Sequence, residues 1–336
     1  MKEIQAILRR VRAEPGPWVL ATLVTVEGSS YRRAGARALI APNGDRLGSI
    51  SGGCLEEDIL ARAARVAAEG RAEVALYDTT SENDLVWGVG LGCHGIVRVL
   101  IEPLSGHSKW LARVNEALSG GPACDVRVTW SANDGRPLGT ELAEESEAGL
   151  VGDSTAGVFE QRFYAPTGLF VYGAGDDAQP LVRMGAELGW AVTVADPRAA
   201  FATGPRFPAA QRVLTGRSDQ LVELTAPNPG SIAVIMTHHY VHDLPLLRAL
   251  LPRPLAYLGL LGPRKRAEKM LDVLESEGRK VTDEMRARLF APVGLDLGAE
   301  GAEEVALSIL AEMKATLASR NARPLRERIG PIHGEQ

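Results

Sequence analysis

From residue 166 onward the chain alternates short apolar runs with helical periodicity, and this alternation constrains its fold more than any other feature. Leu169–Tyr172 is a short apolar run, and Gly173-Ala174-Gly175-Asp176-Asp177-Ala178 follows it. A helical stretch then leads through Leu188 to a second run, Ala191–Asp196. Further strand-like runs are Arg212–Leu214, Ile232–His238 and Leu255–Leu260, with helices between them. Strands that alternate with helices form a parallel sheet covered on both faces. The glycine turn matches G-x-G-x-x-A between a strand and a helix, with the acid Asp196 ending the next strand. The expected fold class is therefore α/β, with a Rossmann-like doubly wound parallel sheet at the C-terminal end.

That pattern makes Gly173, Gly175 and Asp196 candidate cofactor-binding residues. Asp176 and Asp177 argue against a dinucleotide, because they set two carboxylates where a pyrophosphate would lie. NAD(P) is thus an alternative and not the expected ligand. Strand C-termini line the crevice of such sheets, so His238 and His239 are further candidates. The competing reading makes this stretch a helix start capped by Thr237 or Asp243, with one histidine merely packed. Gly262-Pro263-Arg264-Lys265-Arg266 opens another helix and reads as a usable anion site or as a solvated basic face.

The N-terminal half has a different texture. Residues 2–13 carry Ile4, Ile7, Leu8 and Val11 on one helical face, and Pro15-Gly16-Pro17 ends that helix. Trp18–Glu27 is β-branched and apolar, hence a strand, and Arg37–Ile40 is another. Between them Gly28-Ser29-Ser30-Tyr31-Arg32-Arg33 forms a loop with two arginines. Next comes Gly48-Ser49-Ile50-Ser51-Gly52-Gly53-Cys54, which turns into a helix reaching about residue 69. Gly52 and Gly53 allow successive N–H groups to face one concavity, and Cys54 stands at the mouth of the helix. Taken alone this is a tight turn with an inert cysteine. Glu56, Glu57 and Asp58 suit the helix dipole but oppose a thiolate at Cys54. A second glycine-flanked cysteine, Gly92-Cys93-His94-Gly95, closes the loop that begins at Trp87. Cys124 opens a strand and reads as structural.

Three cysteines in 336 residues fit a reducing compartment and not a disulfide framework. A formal net charge of -5 gives no reason to expect nucleic acid as a partner. The first residues lack an apolar signal core, and no apolar run is long enough to span a bilayer, so no membrane partner and a cytoplasmic location are expected.

Several of these stretches occur together in one order: Val26–Arg33, Gly48–Glu56, Trp87–Gly95, Gly173–Pro180, Met236–His238, Gly259–Arg264 and Gly294–Asp296. In them the chain resembles the xanthine dehydrogenase accessory protein family (XdhC/CoxI). The resemblance departs from the family at His94, where a small residue is common, and at Asp176, where proline is common. It implies an N-terminal mixed α/β accessory domain over 1–104, a connecting α+β segment over 105–166, a Rossmann-like domain over 167–320 and a loose tail over 321–336. It also implies a non-catalytic role in maturing molybdenum hydroxylases. The protein would carry the molybdenum–pterin cofactor, shelter it during sulfuration and hand it to the apoenzyme. The implied partners are that hydroxylase apoenzyme and the sulfurase and biosynthesis proteins of the cofactor, with a homodimer expected from fold analogy. The implied contacts are Ser51, Gly52, Gly53, Cys54, Arg32, Arg33, Gly92 and Cys93, with Cys54 touching the metal. The Rossmann candidates Gly173, Gly175, Asp196 and His238 complete the set. The alternative function is an NAD(P)-dependent oxidoreductase with His238 as its acid–base group.

Overall fold

A computed structural model describes residues 2–14, 16–28, 30–78, 95–132, 135–143, 154–155 and 157–329. The chain forms two compact units, Met1–Ala165 and Pro166–Gln336.

The first unit runs α1 (Lys2–Ala13), β1 (Trp18–Gly28), β2 (Arg37–Ile40), β3 (Arg46–Gly48), α2 (Glu56–Glu69), β4 (Glu73–Asp78), β5 (Gly95–Leu104), α3 (Lys109–Leu118), β6 (Cys124–Thr129), β7 (Gly139–Leu142), β8 (Ser154–Thr155) and β9 (Val158–Phe163). Among the described residues, five strands make one antiparallel sheet in the order β3-β2-β1-β5-β4, and four make a second in the order β7-β6-β9-β8. β1 is buried along most of its length because both of its faces are covered. Val19, Ala21 and Leu23 pack with Ile59, Ala63 and Val66 of α2. Trp18 and Leu20 point the other way, onto α1 and α3, as the two-residue period of a strand requires. The stretch after residue 104 shares that second core: Trp110, Leu111, Val114 and Cys124 pack among Ile4, Ile7 and Leu8. Cys124 is buried there, and burial pushes its thiol pKa up, as befits a structural cysteine. Gly70 ends α2 in the left-handed region, φ 68°, and its N–H reaches the Val66 carbonyl.

The second unit runs β10 (Gly168–Tyr172), α4 (Ala178–Glu187), β11 (Ala191–Asp196), β12 (Arg212–Thr215), α5 (Ser218–Thr225), β13 (Ile232–Ile235), α6 (Tyr240–Leu250), β14 (Tyr257–Leu260), α7 (Arg264–Ser276), α8 (Asp283–Arg288), β15 (Leu289–Phe290) and α9 (Ala302–Leu317). Its six strands are parallel, in the order β12-β11-β10-β13-β14-β15. This is the strand order of the dinucleotide-binding fold, with the reversal between β10 and β13. Phe170 and Tyr172 face a core built with α5, α6 and α7, while Leu169 and Val171 face one built with α4 and α9. The expected doubly wound sheet is therefore present. α8 and β15 extend it beyond what periodicity predicts. At the reversal the backbone is tight: Gly173 has φ 133°, and a Cβ there would lie 2.4 Å from the Met236 carbonyl oxygen. Only glycine fits.

Candidate functional site

The Cys54 loop is organised by an acid whose position in the sequence suggests only a helix-dipole role. Glu56, the first residue of α2, turns its carboxylate back into the loop. One oxygen accepts from the Ser49 hydroxyl at 2.7 Å and from the N–H groups of Ile50, Ser51 and Gly52 at 3.3, 3.0 and 3.2 Å. The other accepts from the Ser51 hydroxyl, from Gly53 N–H at 2.8 Å and from Leu55 N–H at 3.3 Å. Arg46 stands 3.5 Å away. Glu56 is buried, with 6% of its surface exposed. The concavity that Gly52 and Gly53 create is thus real, but its anion belongs to the chain. The N–H groups of Ser51, Gly52 and Gly53 are already donated to Glu56 and are not free for a ligand's oxyanion. Asp58, expected to oppose a thiolate, accepts instead from Arg62 Nε at 2.5 Å and Tyr77 Oη at 2.7 Å. Burial alone would raise its pKa, but those hydrogen bonds and the Arg62 charge hold it below the usual value.

Cys54 is half-buried at the rim of this loop, packed against the α2 core on one side. Its sulfur lies 4.0 Å from the Ser51 carbonyl. Tyr31 comes from the upstream loop and lies over Gly52: a Cβ on Gly52 would stand 2.9 Å from its ring. The rest of that ring is open, and Tyr31 is 69% exposed. The two basic residues beside it differ. Arg32 Nη2 is held by both oxygens of Glu3 at 2.9 Å. Arg33 is exposed, and its guanidinium has no partner among the described residues. Arg37 is buried between the Gly35 carbonyl at 3.1 Å and Gln161 Oε1 at 2.5 Å. Burial lowers its pKa to about 10, against the pull of Glu102 and Glu3. Gly92, Cys93 and His94 lie outside the described residues. Among the described residues no three His, Cys, Asp or Glu side chains group as a metal site.

The Rossmann crevice is likewise lined by groups that satisfy one another. Asp196 is fully buried at the end of β11. It accepts from Ala174 N–H at 2.7 Å, from Arg198 N–H at 2.7 Å, and from Arg198 Nε and Nη2 at 2.9 and 2.7 Å. Burial works to raise its pKa, but the Arg198 and Ala174 hydrogen bonds prevail and lower it. Asp177 Oδ2 meets His238 Nε2 at 2.7 Å, across the reversal between β10 and β13. Its Oδ1 sits where a Cβ on Gly175 would come within 2.6 Å. His238 holds a left-handed backbone, φ 64°. Asp176 pairs with Arg206 Nη2 at 2.6 Å, and Arg206 Nη1 donates to the Ala174 carbonyl at 2.8 Å. Thr237 and Asp243 do form a buried pair at the start of α6, 2.6 Å apart, and Arg266 closes on Asp243. Gly173, Gly175, Asp196 and His238 are therefore brought to one crevice, and His239 is exposed beside it. A dinucleotide needs a free acceptor for its ribose and an open glycine turn for its pyrophosphate. Here Arg198 occupies the first and the Asp177 carboxylate covers the second, so the arrangement does not fit NAD(P).

Comparison with known proteins gives concordant matches. The model of the XdhC and CoxI family matches residues 11–78, and that of the XdhC Rossmann domain matches residues 169–313. The chain is 35% identical over 314 residues to a probable xanthine dehydrogenase subunit of Bacillus subtilis (strain 168), covering 89% of this chain and 92% of that protein. It is 27% identical over 297 residues to the molybdenum cofactor insertion chaperone PaoD of Escherichia coli (strain K12), covering 88% and 82% of the two. The crystal structure of a xanthine dehydrogenase from Bacillus halodurans superposes with a TM-score of 0.81 at 31% identity, over 97% of this chain and 99% of that one.

Proposed function

The chain belongs to the XdhC and CoxI family, and from that premise we propose that it is an accessory protein that binds the molybdenum–pterin cofactor and passes it to a molybdenum hydroxylase apoenzyme. The observation that carries the reading is the Cys54 rim: a half-buried thiol and, over Gly52 beside it, the aromatic face of Tyr31 from the upstream loop, which also carries Arg33, exposed and with no side-chain partner among the described residues. Each suits one part of the cargo. The Cys54 thiol is a soft partner for a dithiolene-bound metal. The open face of Tyr31 can stack on a pterin ring, and Arg33 can pair with a phosphate. The main-chain N–H groups of the loop take no part, because Glu56 holds them.

This constellation binds and positions. A carrier needs reversible binding more than transition-state complementarity. A sulfurase and the apoenzyme are then partners that must reach the same rim, so its exposure is functional. In the Rossmann unit the Asp196–Arg198 ion pair and the Asp177–His238 hydrogen bond occupy the crevice, and NAD(P)-dependent chemistry through His238 is the weaker reading. Among the described residues no helix is long and apolar enough to cross a membrane.

The test is native mass spectrometry of the chain purified from cells that make the cofactor. An added mass matching a molybdenum–pterin species, lost in Cys54→Ala, is the expected result. Wild-type protein that never carries a pterin species overturns the proposal.

A further inference from the structure

The seven donors around Glu56 outnumber what a helix-capping acid needs. A back-reaching acid at a helix start satisfies one or two N–H groups. Here five main-chain N–H groups and two hydroxyls, drawn from Ser49 through Leu55, converge on one buried carboxylate. Gly52 and Gly53 have φ of 85° and 135°, and these values turn successive N–H groups inward. Such a nest attracts an anion whether or not the chain provides one. Ser51 also donates to Glu56 while accepting from Leu55 N–H at 2.9 Å, so the loop closes on itself around the carboxylate. Cys54 is the one residue between Ser49 and Leu55 that gives Glu56 no hydrogen bond, and its thiol is left at the rim.

We propose that Glu56 is the positioning residue of the Cys54 loop, an internal anion that fills a main-chain anion nest and thereby fixes where the thiol stands. Two consequences follow. With the loop closed around the carboxylate, the Cys54 thiol is held at one place on the rim and presented in one orientation. The nest also becomes a ligand site in its own right once the side chain is removed. A small carboxylate such as formate has the charge and the two oxygens to occupy it. The inference bears on cofactor transfer only through the proposed role of Cys54, and its test reads the thiol directly, so the two can fail separately.

The experiment measures the alkylation rate of Cys54 by iodoacetamide, with the peptide quantified by mass spectrometry, in the full chain. Wild type, Glu56→Ala and Glu56→Gln are compared with and without sodium formate. Glu56→Ala removes the acceptor that closes the loop, and the released thiol is alkylated faster, by about tenfold, the lower end of what losing a positioning partner does. Formate returns that rate towards the wild-type value and leaves wild type unchanged, because its nest is already filled. Glu56→Gln keeps the shape but sets an amide among donors. It accelerates alkylation less and does not respond to formate. A Glu56→Ala protein that stays folded and reacts within about twofold of wild type overturns the proposal, and so does an acceleration that formate fails to reverse. If Glu56→Ala does not fold, Glu56→Gln decides: wild-type reactivity in that variant refutes the positioning role.

Discussion

Three glycines, one ending β3 and two in the Cys54 loop, separate backbone strain from a functional contact. Gly48, Gly52 and Gly53 all have positive φ, at 95°, 85° and 135°. An alanine in that region costs about 1–2 kcal/mol from the clash of its Cβ with the chain. What the Cβ then meets differs. At Gly53 it meets nothing within 4 Å, so strain is the whole effect. At Gly52 it meets the Tyr31 ring at 2.9 Å, the end of a side chain that is 69% exposed and free to swing away. At Gly48 it meets the Arg37 carbonyl at 2.3 Å, in the strand paired with β3 and next to a buried guanidinium. That backbone cannot yield without breaking the pairing, and overpacking adds about 1–3 kcal/mol, for about 2–5 kcal/mol in all. Thermal unfolding should therefore fall by about 2–8 °C for Gly52→Ala and Gly53→Ala alike, and by more for Gly48→Ala. Fluorescence titration with the metal-free pterin of the cofactor should divide the first two. Stacking on an aromatic ring is worth about 1–3 kcal/mol, so Gly52→Ala, which displaces Tyr31, should weaken binding about 5- to 150-fold. Gly53→Ala leaves the ring in place and should bind as wild type does. Tyr31→Ala should match Gly52→Ala, and Tyr31→Phe should not. Equal affinity in Gly52→Ala and wild type, or equal loss in Gly52→Ala and Gly53→Ala, would refute the reasoning.

The Rossmann unit supports two further predictions. Asp196→Asn keeps an acceptor for Ala174 N–H but sets an amide against Arg198, and should cost about 2–3 kcal/mol in urea unfolding at pH 7. Because the folded-state pKa of Asp196 is lowered, its contribution is present above the ordinary carboxylate pKa and is lost as pH falls through the folded value. The gap between wild type and variant should hold from pH 7 down to about 4 and narrow below it; a gap that already closes at pH 6 contradicts the assignment. NADH and NADPH should show no saturable binding up to about 1 mM, whereas Asp177→Gly, which uncovers Gly175, should gain affinity; tight binding by wild type would contradict a crevice closed by its own side chains.

Much of the fold was legible because periodicity reports burial directly. β10, α4 and β11 announce themselves by apolar runs on either side of a glycine turn, and α1 and α2 by their buried stripes. α8 and β15 escaped for the same reason: Asp-Glu-Met-Arg-Ala-Arg has no apolar stripe, and a two-residue strand has no period. The candidate site was legible in its residue types and not in their partners. Tyr31 and Gly52 are 21 positions apart, and Arg32 and Glu3 are 29 apart, so only the folded sheet joins them. Glu56 shows a different limit. An acid in the first turn of a helix suits the dipole, and that local reading hides a side chain that points back into the loop. One signal was available: Glu56 follows Gly53 by three residues, the spacing at which a glutamate reaches back to the N–H at a helix start. Asp177 has a similar history. Its place beside the glycine turn is legible, but the sequence does not show that His238 would hold that carboxylate over Gly175.

The central claim is that the Cys54 rim carries a cofactor to an apoenzyme, and transfer tests it most directly. The chain, purified with cofactor bound, is mixed with a cofactor-free molybdenum hydroxylase, and recovered hydroxylase activity is followed with time. Wild type should restore activity while its own bound pterin falls in step, and Cys54→Ala, folded to the same melting temperature, should restore none above the unassisted rate. Equal recovery with Cys54→Ala and wild type would contradict the account.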